Sequence, residues 1–224
     1  CFSPSITYCY APTFPQINDL LFKEIRVDRI GRDDLPGKVL KSPVITTDAG
    51  NHFVKGRATT GAKTEAIQGQ HVDFHLFILD EAEGLPATLW QAIKAMTTGG
   101  IAIVIMLANP RTRTSEFYKC ASLPYVRSYR LSCLWFPNVY YDKEIVTNGT
   151  GREYVDDMID SHCQVVPEHN PDLLTFEVHW RPGRIYLPNG EFLFRVMGVA
   201  PLATSIDTFS PVARFEDATH KGIE

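Results

Sequence analysis

Two apolar runs stand out along this chain because each stops abruptly on polar residues. In His75–Gly84, HLFILDEAEG, the run Leu76–Leu79 ends in two adjacent carboxylates, Asp80 and Glu81. In Ile101–Pro110, IAIVIMLANP, the run ends in Ala108-Asn109-Pro110. Short apolar runs closed this way predict strands buried on both faces, as in a parallel sheet. Helical spacing appears in Gln16–Arg29, where Ile17, Leu20, Leu21 and Ile25 recur on one side, and in Pro86–Met96, with Leu89, Trp90, Ile93 and Met96. Ser115–Cys120 and the amphipathic Glu153–His162 add two further helices. Ser5–Tyr10, Val39–Thr46, His52–Lys55 and Val126–Leu134 read as strands, and Asn138–Gly151 as loop. Asp172–Gly198 has the look of antiparallel strands: LLTFEVHW, a turn at Pro182-Gly183, RIYL, a turn at Pro188-Asn189-Gly190, then EFLFRVMG. The pattern predicts an α/β fold with a mostly parallel central sheet flanked by helices, plus a C-terminal antiparallel extension.

In open α/β sheets the chemistry sits at the carboxyl ends of the strands, where Asp80 and Glu81 fall. Two charges on one turn suit a cation to hold or a proton to move. A nucleotide hydrolase of the P-loop class needs this set: Asp80 to hold Mg²⁺ through water, Glu81 to polarise the attacking water, and Asn109 to sense the γ-phosphate of ATP. Arg111 and Arg113, directly after Asn109-Pro110, are candidate phosphate clamps. The structural alternative is a buried strand leading into a helix that Asp80 caps, with Glu81 complementing the helix dipole; for the arginines it is a solvated loop.

Other polar groups carry less. Gly56–Thr64, GRATTGAKT, imitates the phosphate-cradling GxxxxGK[ST], but Ala62 intervenes before Lys63-Thr64 and no apolar strand precedes it; a polar surface loop is expected. His71 and His75 are four apart without a third ligand, and Cys163, His169 and His179 match no zinc spacing, so structural roles are expected. The net charge of −4 does not advertise a nucleic-acid partner, although a local basic surface is compatible with it. Five cysteines with no CxxC pair point to free thiols in a reducing compartment. No run approaches the ~20 apolar residues of a membrane span. With Cys1 in place of an initiator methionine, immediately upstream of a strand, the chain reads as a piece of a longer product.

Together, APTFPQINDLLFKEIR, IQGQHVDFHLFILDEAEGLPATLWQAI, TTGGIAIVIMLANPRTRTSEFY and FLFRVMGVAP resemble, in this order, the large subunit of tailed-phage terminases, prophage copies included. The resemblance spans roughly Ser5 to Pro201 and is thin between Trp135 and Asp172. It implies a P-loop-type ATPase fold in which Asp80 and Glu81 match the Walker B motif. Asn109 falls in the coupling motif, with ANP where the family usually has GNP. Ala11-Pro12-Thr13 matches the helicase-like segment after the first strand pair, and Arg195–Pro201 the end of the ATPase domain. The expected organisation is 1–135 as the Walker B half of the ATPase domain, 136–206 as its end with antiparallel hairpins, and 207–224 as a linker. The phosphate loop and adenine-contacting segment are expected ahead of Ser5, and the nuclease beyond Glu224.

By the same resemblance the cofactors are ATP and Mg²⁺ and the setting is the host cytoplasm. The partners are double-stranded DNA, a terminase small subunit and a portal protein, within a ring homo-oligomer and without a membrane. Two alternatives stand beside a DNA-packaging ATPase: a helicase-like DNA translocase, and a non-catalytic prophage remnant.

Overall fold

The computed structural model describes residues 5–47, 52–60, 72–167 and 177–201, and the chain divides into two compact units, Cys1–Ala108 and Asn109–Glu224. The first unit is built on a six-stranded sheet of order β2-β3-β4-β1-β5-β6. Its strands are β1 (Ser5–Ala11), β2 (Lys38–Val39), β3 (Val44–Thr46), β4 (His52–Ala58), β5 (Phe74–Leu79) and β6 (Ile101–Met106). β4, β1, β5 and β6 run parallel, while β2 and β3 form an antiparallel margin beyond β4. The expected mostly parallel α/β sheet is thus present.

Alternation along β1 and β5 decides the two faces of the sheet. Ile6, Tyr8 and Tyr10 pair in register with His75, Phe77 and Leu79, and all six are buried. Tyr8 and Phe77 stack with ring centroids 5.9 Å apart, and His75 stacks on Phe77 at 5.6 Å, so His75 is a core ring, as expected. His71 and most of the GRATTGAKT stretch lie outside the described residues. On the opposite face Cys9 and Ala11 pack against Ile17 and Phe22. These come from a π-helical turn, Gln16–Leu21, that runs into helix α1, Phe22–Asp28. Burial pushes the Cys9 thiol up to about 12, so it stays protonated and inert.

Gly56 belongs to this packing. A Cβ there would lie 2.8 Å from Phe22 Cε2 and 2.9 Å from Pro43 Cβ, and closer still to Ile17. The start of the GRATTGAKT stretch is therefore the last part of β4, not surface loop. Gly56 lets a helix approach the sheet and does not face a phosphate. The strand expected to end at Lys55 continues to Ala58, and the one expected over Val39–Thr46 is two short strands, β2 and β3, separated by Leu40–Pro43.

Helix α2 (Ala87–Met96) crosses from β5 to the parallel β6 and buries Leu89, Ala92, Ile93 and Met96; Trp90, expected on that face, is only half-buried. β6 departs from expectation more sharply. It is apolar on both faces yet lies at the sheet's margin, where Ile103 and Ile105 are 52% and 45% exposed. Composition marks a strand that can be buried on both sides, but position in the sheet decides whether it is.

The second unit contains α3 (Glu116–Ala121), α4 (Pro137–Tyr140), α5 (Arg152–His162), β7 (Cys163–Val166), β8 (Ile185–Pro188) and α6 (Gly190–Arg195). β7 and β8 pair antiparallel, so an antiparallel element is present, but β7 precedes the Asp172–Gly198 stretch in which it is expected. Of LLTFEVHW, residues 173–176 lie outside the described residues, and of the rest only Val178 bridges, to Tyr186. The core gathers Val139, Val155, Met158, Ile159, Val178, Tyr186, Phe192 and Val196. Arg181 clasps the turn before β8 to α5, with guanidinium bonds of 2.7 and 2.8 Å to Asp160 and one of 3.3 Å to Asp156.

Further sequence expectations fail here: Asn138–Gly151, expected as loop, begins inside α4. EFLFRVMG is not a strand: Asn189 accepts the Phe192 amide at 3.1 Å and starts α6 as its N-cap, so Asn189-Gly190 opens a helix rather than turning a hairpin. Val126–Leu134 is not a strand either: Val126–Ser132 joins no ladder among the described residues, and Cys133–Trp135 is a short 3-10 turn capped by Ser132. Among the described residues Cys9, Cys120, Cys133 and Cys163 are thiols in no disulfide, as expected. No described helix is long and apolar enough to cross a membrane.

One buried amide organises the loop after α4. Asn138 donates to the Val146 carbonyl at 2.8 Å and accepts the amides of Ile145 and Val146, each at 2.7 Å. Leaving such groups without partners costs about 1–3 kcal/mol. Asn138→Ala is expected to destabilise the chain by about 2 kcal/mol and to remove hydrogen-exchange protection at the Ile145 and Val146 amides; unchanged protection at both would contradict this role.

Candidate functional site

Because β4, β1, β5 and β6 are parallel, their carboxyl ends share one edge of the sheet. That edge carries Thr59-Thr60, Ala11-Pro12-Thr13, Asp80-Glu81 and Leu107-Ala108. The acid pair sits at the tip of β5, with β1 on one side and β6 on the other.

Backbone hydrogen bonds hold this tip from both neighbours. The Asp80 amide donates to the Tyr10 carbonyl at 2.8 Å, the Leu107 amide to the Leu79 carbonyl at 2.9 Å, and the Ala82 amide to the Leu107 carbonyl at 2.9 Å. Between these anchors Glu81 takes a left-handed conformation, φ 46° and ψ 46°. Residues with a side chain adopt it at a cost of about 1–2 kcal/mol. The chain then makes a single tight turn, Ala82–Gly84, close to Pro12: a Cβ on Gly84 would lie 3.5 Å from Pro12 Cγ.

The capping alternative for Asp80 does not survive this geometry. Helix α2 begins at Ala87 with Pro86 as its cap residue, six residues beyond Asp80. Instead Asp80 Oδ1 accepts the Glu81 amide at 3.1 Å, which leaves Oδ2 available. Asp80 is half-buried and Glu81 exposed, and neither is in an ion pair among the described residues. Two carboxylates, one pinned and one held out on a strained turn, make a hard-oxygen site open to the edge. Among the described residues there is no group of three or more His, Cys, Asp or Glu side chains suited to a metal. A cation here would take one or two protein oxygens and complete its shell with water and substrate, the habit of Mg²⁺.

Thr13 lies on the same edge with its amide and hydroxyl both donating to Gln16 Oε1, at 2.9 and 2.7 Å. Thr60 donates its amide to the Pro12 carbonyl at 2.9 Å, tying the β4 end to the β1 end. Sequence patterning missed Thr59 and Thr60 because it stopped β4 early. It also missed Arg57, whose guanidinium lies 5.0 Å from the Tyr8 ring centroid. Burial pushes the neighbouring Tyr10 phenol up to about 12, although Arg57 opposes the shift.

Asn109, Arg111 and Arg113 fall in the second unit. Asn109 is exposed and follows directly on Ala108. The Arg111 guanidinium lies over the Phe194 ring, 5.5 Å from its centroid. Arg113 lies over Tyr118 at 5.9 Å and donates to the Ala200 carbonyl at 3.4 Å. Both arginines thus have partners within their own unit; Arg113 is half-buried, whereas Arg111 stays exposed in its loop.

No family model and no curated protein matches the sequence. Among solved structures the chain is similar to the large terminase of a thermophilic bacteriophage at 14% identity, with a TM-score of 0.41 over 53% of this chain and 29% of that one. A crystal form of the same protein in complex with ADP gives 13% identity and a TM-score of 0.42 over the same shares. The large terminase ATPase domain of Thermus phage P74-26 gives 20% identity and a TM-score of 0.37 over 49% of each chain. Over about half its length the chain is therefore similar to large terminases of thermophilic phages, and it spans less than a third of the first of them.

The strain at Glu81 makes a direct prediction. A side chain kept in this conformation for structural reasons loses stability when deleted, whereas one kept there for chemistry does not. Glu81→Gly is expected to leave the chain as stable or more stable, by up to about 1 kcal/mol, in chemical denaturation. A clear loss of stability would mean that the Glu81 side chain holds the turn together.

Proposed function

We propose that this chain is the Walker B segment of a nucleotide-hydrolysing motor of the phage-terminase kind, working in DNA packaging. The observation that carries the reading is the acid pair at the tip of β5, fixed by β1 and by the extension of β6, with Glu81 held out in a left-handed turn. The large terminases found by structural similarity point the same way through the fold.

In this reading Asp80 holds Mg²⁺ through its free oxygen, the Glu81 amide keeping the other in place. Magnesium, when bound, supplies positive charge against the phosphate oxygens of ATP. Glu81 orients a water molecule and accepts its proton as that water attacks the γ-phosphorus, and ADP leaves with the electron pair of the broken bond. Asn109 senses the γ-phosphate through its amide. Arg111 and Arg113 serve as phosphate clamps once they leave the rings of Phe194 and Tyr118. The acid pair needs a phosphate cradle beside it, and Gly56 does not provide one, since helix side chains fill the space in front of it. We place that cradle elsewhere in the working protein. Residues 1–135 then act as the Walker B half, 136–206 as the end of the ATPase domain and 207–224 as a linker. The remaining partners follow from the same reading: double-stranded DNA, a small subunit, a portal protein and a ring of like subunits, in the host cytoplasm.

Glu81→Gln tests the assignment. It keeps the shape of the side chain and removes the base, so magnesium-dependent ATP turnover by the native polypeptide should fall about 10²- to 10³-fold while nucleotide affinity holds. Unchanged turnover would remove Glu81 from the mechanism.

A further inference from the structure

The first part of the second unit, residues 109–141 through α4, is locally basic, with the exposed acids Asp142 and Glu144 following it directly. Residues 109–141 carry five basic residues against one acidic, a local excess of +4 in a protein of net charge −4. Within 125–141 there are two arginines and no acid. The same stretch exposes aromatic rings: Tyr125 and Tyr129 are each 80% exposed, Trp135 72%, Tyr140 60% and Tyr141 64%.

The geometry orders these groups. From Val126 to Ser132 the chain joins no ladder among the described residues, and Arg127 and Tyr129 are exposed along it. Three residues tie the stretch to its surroundings: Ser128 donates its hydroxyl to the Ala121 carbonyl at 2.6 Å, Val126 is half-buried, and the stem of Arg130 runs beside Gly198. Tyr125, in the turn closed by the Val126 amide on the Leu123 carbonyl, and Tyr129 thus present two exposed rings with the exposed Arg127 between them in the chain. Further along, Trp135 stacks on Tyr140 with centroids 6.2 Å apart and an interplanar angle of 14°, and Tyr140 meets Tyr141 edge-on at 4.9 Å.

Exposed flat rings with a guanidinium, Arg127, between two of them, in a locally basic stretch, suit one class of ligand. A polynucleotide chain offers a phosphate to each cation and a base face to each ring. Rings can stack only on bases that are out of a duplex, since paired bases already stack on each other. We propose that the strip Tyr125, Arg127, Tyr129, continued by Trp135 and Tyr140, is a binding surface for single-stranded nucleic acid. The assignment extends the reading of a DNA-handling motor to the nucleic-acid contact itself, and it uses neither the acid pair nor ATP.

The test is fluorescence anisotropy of the whole chain with a labelled 20-nucleotide oligothymidine, against a 20-base-pair duplex, in EDTA and without nucleotide. Failure of the ATPase reading therefore leaves this result unaffected. The single strand is expected to bind at least tenfold more tightly than the duplex. Tyr129→Ala should weaken it about 5- to 100-fold, whereas Tyr129→Phe, which keeps the ring, should bind as the wild type does. Arg127→Gln should reduce the slope of log affinity against log salt by about 0.7. Circular dichroism of each variant separates a lost contact from a lost fold. Equal or tighter binding of the duplex, wild-type binding by folded Tyr129→Ala, or a loss in Tyr129→Phe equal to that in Tyr129→Ala would each overturn the proposal.

Discussion

Three backbone hydrogen bonds fix where two negative charges sit. Asp80 to Tyr10, Leu107 to Leu79 and Ala82 to Leu107 hold the tip of β5 between its neighbours. None of the three involves a side chain, so the position of the acid pair is a property of the parallel ladder itself. Burial of the β1 and β5 rings on one face, and of Cys9 and Ala11 under Ile17 and Phe22 on the other, keeps that ladder together. The strained turn at Glu81 is affordable only because the residues on either side of it are held. Packing, ladder and charge placement thus form one chain of dependence, running from apolar alternation to a carboxylate presented at an open edge.

The two units are stabilised by different means. The first relies on sheet hydrogen bonds and apolar layers, and its parallel order comes from long crossovers. The second is a small apolar cluster fastened by specific polar groups: Asn138 inside its loop, Asn189 at the start of α6, and Arg181 across to Asp160 and Asp156. Asn138 and Asn189 give partners to backbone groups that irregular chain would otherwise lack, while Arg181 ties side chain to side chain. That is why the second unit, with little ladder of its own, still has ordered loops.

What the sequence revealed follows the same division. The central strands, the βαβ passage from β5 to β6, and the acid pair at a strand tip were legible because apolar runs and abrupt polar stops are local signals. Left-handed strain at Glu81 was not legible, since glutamate gives no hint of it. The start of GRATTGAKT reads as surface loop, because nothing local shows that Gly56 sits in a strand under the side chains of a packed helix. β6 reads as a core strand from composition alone, and only the strand order shows it at the margin. EFLFRVMG has the apolar density of a strand, but the Asn189 cap decides for helix. Val126–Leu134 has strand-like alternation and lies beside no described strand, which a single sequence does not display.

The central claim is that Asp80 and Glu81 form a metal-dependent nucleotide site rather than a polar end to a buried strand. Binding of Mn²⁺, followed by electron paramagnetic resonance of the whole chain with and without ATP, addresses it most directly. The account predicts that ATP tightens Mn²⁺ binding, and that Asp80→Asn weakens it at least tenfold while the fold is retained. Binding that is indifferent to Asp80→Asn, with ATP present, would contradict it.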